Sequence, residues 1–397
     1  MTNKNDRHGE AHPLLLIPDW SHQPGPGLYI NSTAVSADGS KIVAGTFFHN
    51  YGRGTTRASD DDKTYGTYCY DRKGRLLWSN EFQGWEGVYW VALSADGGTA
   101  ASGGWRRKYT GFIRAFSASD PTGTPILDHP TGHRTNAVAL SDDGSVLVAA
   151  ADHLYAFTLS AVGSQGPDRF EAGSDVSFVT LSLSRDGRWA VAGDSKGAVY
   201  LLEIESGKWR HHLRWQSPDE RAIHCVQISG DGKWFVAGGP GYLYAFKNDH
   251  SESKWRQTSD LRYAWKHSLG SGGAVYGVAI SDNGDWVSGV ANAGRGGVIH
   301  LVKNHGTAGY LEWSKETAEN PNSTSLDSRG RYVTAADGHS ESAAGHFYLW
   351  DRATGASLGV FATQARMSWP MFLSADGSTI AAGSDNSTVY RFSTPTG

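Results

Sequence analysis

The sequence predicts an all-β fold, an eight-bladed β-propeller with four antiparallel strands per blade. Three observations carry the prediction. One short phrase recurs eight times, its spacing suits four strands and their turns, and no segment has the 3.6-residue periodicity of a helix. Composition agrees, because 50 glycines in 397 residues is about 13%, roughly twice the usual share. Many tight turns between aromatic strands account for it.

The recurring phrase is apolar-Ser-x-Asp-Gly. It ends at Gly39, Gly97, Gly144, Gly187, Gly232, Gly284 (as ISDNG), Gly330 (as the degenerate LDSRG) and Gly377. Successive glycines are 58, 47, 43, 45, 52, 46 and 47 residues apart, so eight units account for nearly the whole chain.

Each unit has the same grammar. A short apolar first strand (WVALS, 90–94; CVQIS, 225–229) runs into the phrase, where Asp-Gly supplies a hairpin turn because both residues tolerate positive φ. A second strand rich in Val and Ala ends on Gly or Ala (KIVAG, 41–45; RWAVAG, 188–193). The third alternates aromatic and aliphatic residues (GFIRAF, 111–116; YLYAF, 242–246), and the fourth often carries Trp (RLLWSN, 75–80; YLEWSK, 310–315). The Trp of these fourth strands, Trp78, Trp215, Trp265 and Trp313, read as packing at the wide outer edge of each blade. The eighth unit ends at Gly397 after its third strand, whereas the run Leu14 to Trp20 has the composition of a fourth strand with none before it. The expectation is one propeller domain, residues 13–397, closed by an N-terminal strand at 14–20 that completes the last blade and removes a free sheet edge. Residues 1–12 are expected to be a disordered tail.

VALSADG, VAGDSKGAVYLLEI, YDRKGRLLW and HFYLWDRATG resemble the repeats of WD-repeat and quinoprotein-like (pyrroloquinoline-quinone-type) bacterial propellers, over essentially all eight units. The resemblance implies the propeller fold in a group that contains scaffolds, sensors and a minority of enzymes. The chain departs from quinoprotein dehydrogenases in lacking long insertions and an adjacent cysteine pair, and Trp350-Asp351 is its one good Trp-Asp pair. No catalytic residue carries over.

A formal charge of −4 disfavours a basic groove for nucleic acid or attachment to an anionic membrane. Cys69 and Cys225 stand 156 positions apart, which supports neither a disulfide framework nor a zinc site. The only early apolar run, Leu14 to Ile17, lies between Pro13 and Pro18 and is too short for a signal-peptide core. These features lead us to expect a soluble, cytoplasmic protein without a cofactor, and with no metal ligand set in the sequence, although His49, His153 and His339 leave a metal open.

In such propellers the first strand of each blade lines the channel. Its start faces the same end as the loops joining second and third strands. Counting back eight residues from each turn glycine gives the mouth row Asn31, Tyr89, Asn136, Val179, His224, Tyr276, Asn322 and Trp369. Six residues back the row is mostly apolar, from Thr33 and Val91 to Thr324 and Met371, and reads as packed channel wall. A mouth row without carboxylates argues against a two-carboxylate glycosidase. It suits a small organic ligand or a protein partner held by the aromatic faces of Tyr89, Trp90, Tyr276 and Trp369 and by amides from Asn31, Asn136 and Asn322. The bland reading has these Asn side chains satisfying loop backbone groups.

Arg106, Arg107 and Arg295 on the same loops, with Arg134, Arg221 and Arg366 before their first strands, are candidates for binding carboxylate or phosphate. Alternatively they form a solvated rim paired with Glu86, Glu220 and Asp194. His224 and Tyr276, on adjacent blades, make the best general acid/base couple on offer, as in a cofactor-independent lyase, isomerase or cyclase. His49, His153 and His339 lie on neighbouring loops. The long Phe47–Tyr65 loop reads as a lid or as disordered. Two functions follow: a binding propeller that uses the mouth face, or an enzyme with its pocket there.

Overall fold

The computed structural model describes residues 15–25, 28–47, 64–83, 87–106, 110–160, 163–249, 260–270, 273–294, 296–339, 344–366 and 368–396. The expected tail 1–12 and most of the Phe47–Tyr65 loop lie outside them. Strands pair into eight four-stranded antiparallel sheets, and the described residues contain no helix. Blades 1 to 7 span residues 29–83, 87–131, 137–170, 178–216, 225–268, 275–317 and 321–362. Blade 8 joins Ser368–Leu373, Thr379–Ser384 and Val389–Ser393 to Trp20–His22.

The N-terminus closes the ring, but the closing strand is shorter and later than 14–20. Trp20, Ser21 and His22 pair with Arg391, Tyr390 and Val389. Leu15 instead makes a parallel bridge to Val360 of blade 7, and the Leu16 amide donates to the Val360 carbonyl at 3.1 Å. Pro18 explains the split, since it has no N–H to give a continuous ladder and the chain changes blades there. Leu16, 7% exposed, fills the seam between blades 7 and 8. The same device recurs where Asp260 bridges Arg214 in parallel and the Leu261 amide donates to the Arg214 carbonyl at 2.9 Å.

At the turn end, the phrase forms a repeated hydrogen-bonded knot. In blade 2 the Ser94 hydroxyl donates to Asp96 at 2.6 Å and accepts from the Thr99 amide at 2.9 Å, and Ser94 is fully buried. In the degenerate seventh copy Asp327 replaces the serine, accepting from the Tyr332 amide at 2.9 Å and pairing with Arg331 at 2.9 Å. The first or second residue after this position then links the blades. Eight backbone hydrogen bonds of 2.8–3.2 Å run from 37 to 95, 95 to 142, 142 to 185, 185 to 230, 231 to 282, 282 to 328, 328 to 375 and 376 back to 37. This belt satisfies turn amides that would otherwise be left unpaired.

Second strands end on small residues because the next blade comes very close. A Cβ on Gly45 would fall 2.4 Å from Val88 Cγ1, and one on Gly103 would fall 2.4 Å from Thr135 Cγ2. The apolar row six before each turn glycine packs into this seam. Its eight members are 0–8% exposed, and Val91 and Val138 lie against Gly45 and Gly103. That row is therefore blade-to-blade core and not the channel wall expected from simple alternation. Close approach of the next blade decides this, since Val138 and Val226 are buried in blades whose inner pairing shows no register shift.

Of the fourth-strand tryptophans, Trp78 and Trp265 are buried, and Trp215 and Trp313 are half-buried. Trp78, Trp215 and Trp313 meet other rings, as in Trp78 on Phe116 at 5.1 Å, and Trp265 packs among aliphatic side chains. Cys69 and Cys225 are both free thiols in strands.

Candidate site at the channel mouth

Five members of the mouth row are themselves bulge residues. Pairing with the second strand skips Asn31, Tyr89, Val179, Tyr276 and Asn322 in blades 1, 2, 4, 6 and 7. A bulged residue is released from the ladder and its side chain is re-aimed. Asn136 and His224 stand immediately before the short inner strands Ala137–Leu140 and Cys225–Ile228. Trp369 falls within the register shift between Ser368 and Met371, and only its backbone is described. Arg107, Arg295 and His49 lie outside the described residues.

Two of the asparagines staple neighbouring blades. Asn31 Nδ2 donates to the Tyr89 carbonyl at 2.7 Å, and Asn136 Nδ2 donates to the Phe178 carbonyl at 2.7 Å. Lower in the channel, Ser182, Gln227 and Ser325 accept from the amides of Ile228, Ile280 and Leu373 on the following blades. Trp90 and Phe372 meet edge to face at 6.1 Å, joining blades 2 and 8.

Blades 1 to 3 build one aromatic wall. Phe47 meets Tyr89 edge to face at 5.5 Å and stacks on Trp105 at 6.4 Å. The Arg134 guanidinium lies 4.1 Å from the Tyr89 ring centre and 5.6 Å from that of Trp105, and its Nε donates to Asn136 Oδ1 at 2.7 Å. Phe47 and Trp105 were not singled out from sequence as site residues, and Arg134 entered only as one of several loop arginines. The signal was Arg two positions before Asn136, which puts both on one side of extended chain.

Blades 5 and 6, on the far side of the eight-fold ring, build the second wall. His224 and Tyr276 stack with ring centres 5.5 Å apart and planes 28° from parallel. Tyr276 is 42% exposed. Partial burial holds the imidazole below the ordinary histidine value, so it is neutral at pH 7. No described residue hydrogen-bonds to the His224 ring.

Of the carboxylates expected to pair the rim, Glu86 lies outside the described residues. Arg106 pairs with Asp128 at 2.9 Å, and Asp128 also holds Arg114 at 3.1 Å. Asp194 is fully buried and accepts from the amides of Lys196 and Ala198 and from the Tyr200 hydroxyl. It is a fold-stabilising carboxylate, and among the described residues no arginine pairs with it. His153 lies 3.8 Å from both Asp152 and Glu171, and among the described residues no group of three His, Cys, Asp or Glu is placed to hold a metal ion. No helix is long and apolar enough to cross a membrane.

This architecture has solved counterparts. Sqt1 of Chaetomium thermophilum superposes with a TM-score of 0.70 at 11% identity, over 95% of this chain and 98% of that one. The same protein bound to the N-terminus of the ribosomal protein L10 gives 0.67 at 12% identity, over 93% and 97%. The likeness is one of fold. No protein-family profile and no curated protein matches the sequence.

Proposed function

We propose that this protein is a protein-binding propeller that receives an extended segment of its partner across the channel mouth. The observation that carries this reading is the pair of facing walls, Phe47–Tyr89–Trp105 on blades 1 and 2 and His224–Tyr276 on blades 5 and 6. Phe47 is buried and backs the first wall, so the half-buried Tyr89 and Trp105 and the exposed Tyr276 supply the aromatic faces that a protein interface uses as anchors. Sqt1, which shares the fold, is solved with a chain terminus bound, which supports the class of partner. Stapling of Asn31 and Asn136 to backbone serves this function by holding the mouth in one shape before a partner arrives.

Acid–base catalysis by His224 and Tyr276 is less well supported. The two rings present faces to each other, and the imidazole lacks a described partner to fix its tautomer. Co-purification from the native host tests the proposal, comparing the wild type with Tyr89→Ala and Tyr276→Ala. A partner protein lost from both variants supports it. A bound small molecule, or a partner retained by both, refutes it.

A further inference from the structure

Arg134 is built differently from the other arginines of this face. Its guanidinium lies on Tyr89, faces Trp105 and is tied through Nε to Asn136, which is itself anchored to blade 4 through the Phe178 carbonyl. These contacts fix the side chain and consume only one of its nitrogens. Among the described residues none takes the terminal nitrogens Nη1 and Nη2, and the residue is half-buried rather than folded away. A guanidinium fixed by stacking presents its remaining donors as a planar fork that matches a carboxylate, at little further cost in side-chain entropy.

Among the described residues no carboxylate answers this charge. No member of the mouth row is acidic. The carboxylates at the same end of blades 3 and 4 are committed to the fold. Asp152 accepts from the Tyr155 hydroxyl at 2.9 Å and the Gly132 amide at 3.2 Å, and Asp194 accepts from two amides and Tyr200. Arg106, by contrast, is paired with Asp128.

We infer that Arg134 is the specificity-determining anchor of the mouth and receives an Asp or Glu carboxylate of the bound protein segment. This rests on the mouth being the docking face. The segment is then acidic at one point and apolar or aromatic where it meets the His224–Tyr276 wall.

Selection of a phage-displayed random dodecapeptide library on the full-length protein tests this, with Arg134→Gln and Arg134→Lys as parallel targets of verified thermal stability. Peptides selected on the wild type and lost on Tyr276→Ala should be enriched in Asp or Glu at one position, and the enrichment should vanish on Arg134→Gln. In a selected peptide, Glu→Gln should weaken binding at least tenfold to the wild type and less than twofold to Arg134→Gln. Arg134→Lys should fall between, keeping charge without the fork. Mouth-binding peptides without an acidic preference, or with the same preference on Arg134→Gln, would overturn the assignment and leave the docking face standing. Selection of no mouth-dependent peptide at all would overturn both.

Discussion

The imidazole of His224 lies over the phenol of Tyr276, with ring centres 5.5 Å apart and planes 28° from parallel. A face-to-face pair offers a flat shelf to a third group and has no proton in flight between its members. The shelf exists because a bulge in blade 6 releases Tyr276 from its ladder while His224 precedes the blade 5 inner strand.

Substitution at Tyr276 separates shelf from catalyst. Tyr276→Ala should weaken partner binding by about 1–2 kcal/mol, roughly tenfold, as loss of an interface aromatic does. Tyr276→Phe should leave it within twofold by isothermal titration calorimetry. If the phenol proton mattered, the Phe variant would be as impaired as the Ala one.

Ring closure depends on Asp19 and Arg391. The Asp19 carboxylate accepts from the buried Arg391 guanidinium and from the Ser393 hydroxyl, next to the three paired residues of the closing strand. Asp19→Ala should cost about 1–2 kcal/mol, less than a fully buried pair because Asp19 is partly exposed. Deletion of residues 1–22 should lower Tm sharply by calorimetry, whereas deletion of 1–14 should leave it nearly unchanged.

The blade seams make a packing prediction. Gly45→Ala places a methyl 2.4 Å from Val88 Cγ1 and should destabilise by about 1–3 kcal/mol in urea unfolding. Adding Val88→Ala should recover part of that loss, because the two changes share one seam. Strict additivity would show that the seam relaxes elsewhere.

Acid should expose a third weak point. His267 Nε2 and His300 Nδ1 are 3.0 Å apart, a contact that needs at least one neutral ring. Burial lowers both pKa values, that of His300 to about 4. The unfolded rings protonate near 6.5, so their contribution is complete above that pH and is lost as the pH falls from about 6.5 towards 4. Stability of His300→Gln should decline less over this interval than that of the wild type. Asp282, raised to about 6 mainly by burial, acts in the opposite sense and cancels in the comparison.

The propeller was legible because every repeat states the same local physics. Asp-Gly turns, Val-Ala second strands and a residue count of four strands per interval are local properties, and eight copies leave no other arrangement that buries them all. The row from Asn31 to Trp369 is found at the start of the inner strands by the same count from a recognisable turn. The bulges were not legible. No residue type marks them, and the row from Thr33 to Met371 lies in the blade seams whether or not its blade carries one.

Closure and the chemistry of the rim were decided by contacts distant in sequence. Trp20 pairs with Arg391 across 371 residues, and although Pro18 breaks the run from Leu14 to Trp20, nothing in it says which blade each side will join. Among arginines of equal intrinsic charge, Asp128 claims Arg106, while Tyr89 and Asn136 hold Arg134 with its outer nitrogens unclaimed by any described residue. Local pattern sets which strands form. A side chain's partners depend on which blades the closed ring brings together, and that is a property of the whole circle.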